Sequence, residues 1–123
     1  LQMDMAKILL LEPSGLEFRV AGGVGLPPGE GIGQRIANEP GSSCGYVAAE
    51  GKPVLIADYA EEQRFRVPAH QLEAGWVCEL SVPLADRGRT IGALHITGTV
   101  DDPPQRHLTL LRTAAEELRQ QLI

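Results

Sequence analysis

Two pairs of short apolar segments, each pair joined by a turn, constrain the fold of this 123-residue chain more than any other feature. Residues 6–12 (AKILLLE) form an apolar run, and residues 16–20 (LEFRV) alternate between apolar and charged side chains beyond the break at Pro13, Ser14 and Gly15. Residues 77–84 (VCELSVPL) and 90–97 (TIGALHIT) repeat this arrangement around residues 85–89, a five-residue loop that contains Gly88. Such pairs are typical of β-hairpins, so the sequence predicts an antiparallel sheet.

Helices are predicted between and after the two hairpins. Residues 42–51 predict a short helix, with Ser42 or Ser43 as the N-cap and Gly51 as the left-handed stop. Residues 53–57 predict another strand, residues 68–74 a second short helix, and residues 22–33, which include six glycines, a loop. A long C-terminal helix is predicted from its N-cap, Asp102. Its apolar seam recurs at steps of three and four: Leu108, Leu111, Ala115, Leu118 and Leu122.

This order of elements indicates a single α+β domain over residues 1–123, with an antiparallel sheet instead of βαβ repeats. The seam of the last helix is narrow, which favours pairing with a second copy of the helix in a weak homodimer. The chain begins at Leu1 and ends within a helical pattern, so we expect it to be a piece of a longer protein.

The charge pattern argues against two classes of partner. The net charge is −5, from 11 basic and 16 acidic side chains, and no run of four or more Lys or Arg occurs. Because binding to DNA phosphates requires clustered cations, we expect no nucleic-acid partner and no electrostatic docking on a membrane. No unbroken apolar run is longer than that of residues 8–11, far short of the roughly 20 residues that span a bilayer. We therefore expect a cytoplasmic location.

Three stretches, taken in their order and spacing, resemble the GAF domain family. They are ILLLEPSGLEFRVAGGVG, GIGQRIANEPGSSCGYVAAEGKPVLIADYAEEQRF and CELSVPLADRGRTIGALHIT. The resemblance covers the chain from about Ala6 to Ile123. It implies a central antiparallel β-sheet of about five to six strands, with terminal helices on one face and a pocket roofed by helices and loops on the other. The helix that usually precedes the first strand in this family is expected to be truncated here.

The same resemblance implies a sensory domain of signal transduction or transcription regulation, and not an enzyme. Such a domain binds a small molecule and passes a conformational change through its C-terminal helix to a covalently linked output domain, such as a kinase, a cyclase or a transcription activator. Neither the ligand nor any cofactor is identified by the resemblance. A dimerisation module with an empty pocket is the alternative that the sequence leaves open.

Cys44, Cys78 and His95 are the candidate site residues with chemistry of their own. If Ser43 caps the first helix, Cys44 lies in its first turn, where the helix dipole favours a reactive thiolate. The alternative is a small apolar residue packed under the glycine-rich loop. Cys78 shares strand parity with apolar neighbours, which favours a buried and reduced thiol. His95 lies mid-strand on the parity of Ile91, Ala93 and Thr97, as a core histidine or as a single ligand to haem.

Aromatic and polar residues of the segments that would roof the pocket complete the candidate ligand site. The aromatic candidates are Tyr46, Tyr59, Phe65 and Trp76, which suit a small flat ligand but equally serve to fill a core that has few aromatic residues. Asp58 is the polar candidate, with Arg64 and Glu79 as further possible partners. Each of these charges is equally suited to a solvated loop or strand edge.

A thiol-based enzyme is the second function considered. The segment Ser43-Cys44-Gly45 resembles part of the free methionine-(R)-sulfoxide reductases, a branch of the GAF family. Those enzymes carry their catalytic cysteine in the stretch before the Pro-containing strand, which is residues 77–84 here. Residues 70–75 (HQLEAG) occupy that stretch and contain no cysteine. No His- or Cys-rich spacing indicates a metal site, and no cysteine stands beside a histidine as covalent bilin attachment would require.

Overall fold

A computed structural model describes residues 5–39, 41–67, 72–73 and 75–98, which form a six-stranded antiparallel sheet with one helix. In chain order the elements are β1 (Met5–Leu11), β2 (Glu17–Val24), β3 (Arg35–Ala37), α1 (Ser43–Glu50), β4 (Val54–Ile56), a 3₁₀ turn (Tyr59–Glu61), β5 (Cys78–Asp86) and β6 (Arg89–Gly98). In space the strand order is β3-β2-β1-β6-β5-β4, with every neighbouring pair antiparallel. The two predicted hairpins and the α+β class are confirmed.

The first hairpin extends further than the sequence predicts. Leu16 was expected to begin the strand and to share its buried face, but β2 begins at Glu17 and Leu16 is 72% exposed. The start of the predicted glycine-rich loop is wrong, because β2 continues to Val24 and Gly22 pairs with Ile8 of β1. The short strand β3, which pairs with β2, was not predicted at all.

The second hairpin is tighter than predicted. The expected five-residue loop is wrong, because β5 and β6 run on until Asp86 pairs with Arg89. Only Arg87 and Gly88 remain as the turn, with φ angles of 53° and 77°. Two positive φ angles define a type I′ turn, whose twist matches that of the strands it joins.

Helix α1 follows its predicted capping. Ser42 is the N-cap, and its hydroxyl accepts a hydrogen bond from the amide of Gly45. Gly51 ends the helix in the left-handed conformation, with φ 66°. Of the second predicted helix, over residues 68–74, the structure describes residues 72–73, which are helical. The other residues of this range lie outside the described part of the chain. The predicted C-terminal helix and its seam also lie outside it.

The sheet has two differently composed faces. One face, here called the apolar face, carries buried side chains from β5 and β6: Leu80, Val82, Leu84, Leu94 and Ile96. The other, the α1 face, is covered by α1, and buried apolar residues pack on it beside Val47 of the helix. Ile91, expected to share the parity of His95, packs against the apolar face instead, because the register of β5 and β6 shifts between Leu84 and Ala85. None of the helices within the described ranges is long and apolar enough to cross a membrane.

Candidate functional site

Strand pairing collects buried polar side chains in the middle of the α1 face. On the central strand β6, His95 stands opposite Lys7 of β1 on one side and Ser81 of β5 on the other. Glu79, two residues before Ser81 on the same strand, therefore shares the face. All four side chains are buried. Because buried polar groups are costly unless they are hydrogen-bonded, their partners decide what this cluster can do.

Glu79 is the hub of the cluster. Its carboxylate is 3% exposed and accepts hydrogen bonds from three hydroxyl groups. Ser43 donates to Oε2 over 2.7 Å, Ser81 donates to the same oxygen over 3.0 Å, and Tyr59 donates to Oε1 over 2.9 Å. Burial, and then the negative charge of Glu79, raise the pKa of Tyr59 well above its usual range, so its phenol remains a donor. Three donors replace much of the water that the buried carboxylate has lost.

The hydrogen bonds to Glu79 indicate which ring nitrogen of His95 carries a proton. Nδ1 of His95 lies 2.6 Å from Oγ of Ser81. Since the Ser81 hydroxyl proton is directed at Glu79, Nδ1–H donates to the serine oxygen. Nε2 of His95 is buried and has no hydrogen-bond partner among the described residues.

The charges around His95 favour its protonated form. Burial lowers the pKa of His95, but the charges of Cys44 and Glu79 and the hydrogen bond with Cys44 outweigh burial and the smaller effect of Lys7. The net result is a raised pKa, and Nδ1 stands 3.4 Å from Oε2 of Glu79. A buried imidazolium facing a carboxylate and a thiol is the arrangement that follows.

Cys44 joins this cluster from α1. It is the second residue of the helix, and its Sγ lies 3.4 Å from Nδ1 of His95. The sulfur and the imidazole are therefore within hydrogen-bonding reach of each other. Cys44 is half-buried, in contrast to His95 below it.

A cavity of about 290 Å³ opens above the cluster, between the start of α1 and the sheet. Cys44 and Ser43 line it at the helix, and Leu9, Phe18 and Ile36 form its apolar wall. Two cationic and two anionic side chains also line it: Lys7, Arg66, Glu30 and Glu39. Lys7 and Glu30 form a buried ion pair, whereas Arg66 and Glu39 form an exposed one over 3.3 Å.

The comparisons with known proteins decide the family. The model of the GAF domain family matches residues 1–120. This chain belongs to the GAF domain family. Among curated proteins, none matches the sequence.

Solved structures similar to this GAF domain have diverse parent proteins. The GAF domain of a phosphoenolpyruvate-protein phosphotransferase from Coxiella burnetii is 17% identical, with a TM-score of 0.81, over 98% of this chain and 71% of that one. A domain of a putative two-component sensor histidine kinase from Sinorhizobium meliloti is 16% identical, with a TM-score of 0.72, over 98% and 78%. A type II free methionine-R-sulfoxide reductase from Thermoplasma acidophilum is 18% identical, with a TM-score of 0.72, over 96% and 77%. At these identities the likeness shows the fold alone.

Four of the residues that the sequence singles out meet in the GAF domain's buried cluster. Cys44 contacts His95, Tyr59 donates to Glu79, and His95 lies next to Glu79 and Ser81. The other predicted residues lie outside the cluster: Tyr46, Asp58, Arg64, Phe65, Trp76 and Cys78.

Trp76, Cys78 and Asp58 lie beside the cluster without joining it. Trp76 is buried in the apolar core under α1, next to Tyr59. The thiol of Cys78 is buried and directed at the carbonyl oxygen of Gly98, at a distance of 3.7 Å. Asp58 is the N-cap of the 3₁₀ turn and accepts a hydrogen bond from the amide of Ala60.

Tyr46 and Phe65 do not line this cavity but line a neighbouring one together with Arg64. Their rings meet edge to face, with centroids 5.4 Å apart, and Tyr46 is 39% exposed. Arg64 stacks on Phe65 at 5.2 Å and donates to the carbonyl oxygen of Leu55 over 2.7 Å. These contacts hold the loop after the 3₁₀ turn against β4.

Sequence reasoning missed Lys7, Glu30, Ser43 and Ser81 as members of the site. Strand parity carried the signal for two of them: Lys7 interrupts an apolar strand on its buried face, and Ser81 alternates with Glu79. Glu30 lies in the glycine-rich loop, and no local pattern indicates that it reaches Lys7, 23 residues away. Within the described ranges, no group of three or more His, Cys, Asp or Glu side chains is arranged to hold a metal ion.

Proposed function

We propose that this GAF domain is the sensory module of a larger regulatory protein, and that its signal is a small molecule bound in the cavity beside Cys44. The observation that carries the proposal is the contact between that cavity and the buried cluster. Cys44 and Ser43 line the cavity, and their side chains touch His95 and Glu79. A ligand that moves the start of α1 therefore changes hydrogen bonds inside the sheet.

The composition of the α1 face supports this proposal. An apolar core fills space at lower cost than a buried network of charges does, since each buried charge loses its hydration. Here a carboxylate, an imidazole and an ion pair are buried beside an apolar core. Placing charged groups at the wall of a cavity is typical of ligand sites, where a few polar groups orient the ligand.

The proposed relay runs along β6. His95 lies in β6, which ends at Gly98. The sequence predicts a helix from Asp102 onward, close enough in sequence for a shift of β6 to move its start. We propose that this helix leads to an output domain, a kinase, a cyclase or a transcription activator, in a reducing compartment such as the cytoplasm, where the free thiols of Cys44 and Cys78 are stable.

A blocked cavity tests ligand sensing. Ile36 is half-buried in the cavity wall, so Ile36→Trp fills the space, whereas Leu16→Trp places the same ring on an exposed surface as a control. In a thermal-shift screen of small metabolites, we expect at least one to stabilise the wild type and the Leu16→Trp control. At 100 times Kd a ligand stabilises by about 2.7 kcal/mol. No stabilising metabolite, or equal stabilisation of Ile36→Trp, would contradict the proposal.

The same proposal includes a weak symmetric homodimer formed through the predicted C-terminal helix. Its narrow apolar seam suits pairing with a second copy. Sedimentation over a concentration series should show dimers of the wild type at high micromolar concentration and fewer dimers of Leu118→Glu. A wild type that stays monomeric, or a variant that dimerises equally well, would remove the dimer from the proposal.

A thiol-based enzyme is the rival function, and the pair of Cys44 and His95 is the observation that favours it. We propose that the chain nevertheless does not reduce free methionine sulfoxide, because residues 70–75 lack the cysteine that such reductases carry there. Incubation with methionine sulfoxide and a dithiol should give no turnover. Turnover that Cys44→Ser abolishes would show that the rival function is correct.

A further inference from the structure

We infer that Cys44 forms reversible mixed disulfides with small zwitterionic disulfides, compounds that carry both an ammonium and a carboxylate group on each half. This inference rests on the proposed ligand cavity and names the class of molecule that the cavity takes. Three observations carry it: the contact of the sulfur with the imidazole of His95, the balance of charge around the cavity, and the different burial of its two ion pairs.

The thiol is prepared for nucleophilic attack. Sγ of Cys44 is 3.4 Å from Nδ1 of His95 and stands in the first turn of α1. A thiolate is the species that attacks a disulfide, and the imidazole within reach of Sγ is the base that takes the thiol proton. The side chain lines the cavity and is half-buried, so a solute that enters the cavity reaches the sulfur.

The charges around the cavity favour a ligand with no net charge but with both signs. Lys7 and Arg66 supply two positive charges, and Glu30 and Glu39 supply two negative ones. An anionic ligand meets both carboxylates and a cationic ligand meets both cations, whereas a zwitterion can pair each of its groups.

The outer ion pair is the one that the ligand replaces. Lys7 and Glu30 are both buried, and separating a buried pair leaves charges without compensation. Arg66 and Glu39 have exposed side chains and lie 3.3 Å apart, and exposed pairs contribute little to stability. In the bound state Arg66 therefore takes the ligand's carboxylate and Glu39 takes its ammonium group.

The exchange reaction is balanced without a further reactant. The Cys44 thiolate attacks one sulfur of the disulfide, so a new S–S bond forms as the old one breaks. The departing thiolate takes the proton that Cys44 had given to His95, and it leaves as a free thiol. Cys44 is thereby oxidised to the mixed disulfide, and half of the small disulfide is reduced.

Four probe disulfides test the inference on a Cys78→Ser background, in which Cys44 is the single thiol. They are cystine, which is zwitterionic, cystamine, which is cationic, dithiodiglycolate, which is anionic, and 2-hydroxyethyl disulfide, which is neutral. Intact-mass measurement gives the rate of adduct formation in native protein, divided by the rate for the same probe in urea-unfolded protein. This ratio removes the intrinsic reactivity of each probe.

We expect the ratio to be highest for cystine, about fivefold above the ratio for each of the other three probes. A fivefold ratio corresponds to about 1 kcal/mol, the upper end of what an exposed ion pair contributes. Glu39→Gln combined with Arg66→Gln should abolish this preference, so that cystine and the neutral probe give equal ratios. His95→Gln should slow all four probes alike, since it acts on the sulfur and not on the ligand. Circular dichroism of each variant checks that it is folded.

Equal ratios for all four probes, or a preference that survives the double variant, would overturn the inference. Iodoacetamide separates this failure from a failure of the proposed function. If iodoacetamide alkylates native Cys44 but cystine shows no preference, the zwitterion inference is wrong and the open cavity remains. If neither reagent reaches native Cys44, the inference and the ligand cavity both fail.

Discussion

Strands β5 and β6 present two different surfaces, although both surfaces are buried. Toward the apolar face they direct leucine, valine and isoleucine side chains, such as Leu80 and Leu94. Toward the α1 face the same strands direct Glu79, Ser81 and His95, all bound to one another. The apolar face is stabilised by burial from water, whereas the α1 face depends on the geometry of a few hydrogen bonds. Only the second kind of surface can respond to a ligand without unfolding.

The largest expected effect comes from breaking the apolar face. Leu80 is 1% exposed within the apolar cluster, and Leu80→Ala leaves a cavity there. Such substitutions cost about 2–5 kcal/mol in the free energy of unfolding. Urea unfolding followed by circular dichroism measures the loss. The rate at which iodoacetamide labels Cys44 in the folded protein should stay unchanged, because the substitution lies on the opposite face. A large change in that rate would show that the two faces are not independent.

A smaller loss is expected from Glu79→Gln. The amide keeps the volume but loses an acceptor shared by Ser43 and Ser81, and it removes the negative charge facing His95. Hydrogen bonds to a charged group contribute about 1.5–3 kcal/mol, and relief of carboxylate desolvation offsets part of this, so we expect a loss of about 1–2 kcal/mol. The control is Glu17→Gln on the exposed side of β2. A Glu79→Gln variant as stable as the wild type would mean that desolvation outweighs the hydrogen bonds.

The smallest effect is a pH dependence of stability. His95 has a raised pKa in the folded protein, so the folded state holds its proton more tightly than the unfolded state does. Its stabilisation is therefore complete below about pH 6.5, the ordinary value for histidine, and is lost as the pH rises through the folded-state pKa. The groups that face His95 are Cys44 of α1, Glu79 of β5 and Lys7 of β1.

Unfolding free energies measured from pH 6 to pH 9 test this dependence. The wild type should lose stability across that range relative to His95→Gln, which has no imidazole to titrate. If the difference between the two proteins does not change with pH, the pKa of His95 is the same in the folded and unfolded states, and the charges around it do not favour its protonated form.

The sequence was sufficient for elements whose signals are local. Alternation of Phe18 and Val20 in β2 and capping by Ser42 and Gly51 each depend on a few neighbouring residues. The errors arose where pairing overrides composition. Gly22 is a loop residue by composition, yet it pairs with Ile8 in the sheet. At Gly92 the carbonyl oxygen of Leu9 lies 2.0 Å from the position a Cβ would take, a close approach that no local pattern predicts.

The candidate site was predictable in part for the same reason. Cys44 was identified by its place in the first turn of a helix, and that placement depends only on nearby capping residues. Its contact with His95 joins residues 51 positions apart and depends on the register of β5 and β6. Tyr46 and Phe65 were grouped with the site because they are aromatic, but they line a neighbouring cavity with Arg64 and not the one beside Cys44. The type of a residue indicates which chemistry it can perform, whereas the topology of the sheet decides which residues lie together in one site.

The relative reactivity of the two cysteines tests the central claim most directly, because one lines the cavity and the other is buried. Cys44 lines the cavity of the α1 face, and Cys78 is buried with its thiol directed at a backbone carbonyl. Timed alkylation of the folded protein with iodoacetamide, followed by peptide mass spectrometry, gives both rates in one sample. We predict that Cys44 is labelled faster than Cys78 and that His95→Gln slows Cys44 alone. Equal rates, or faster labelling of Cys78, would contradict an open site at Cys44 on the α1 face.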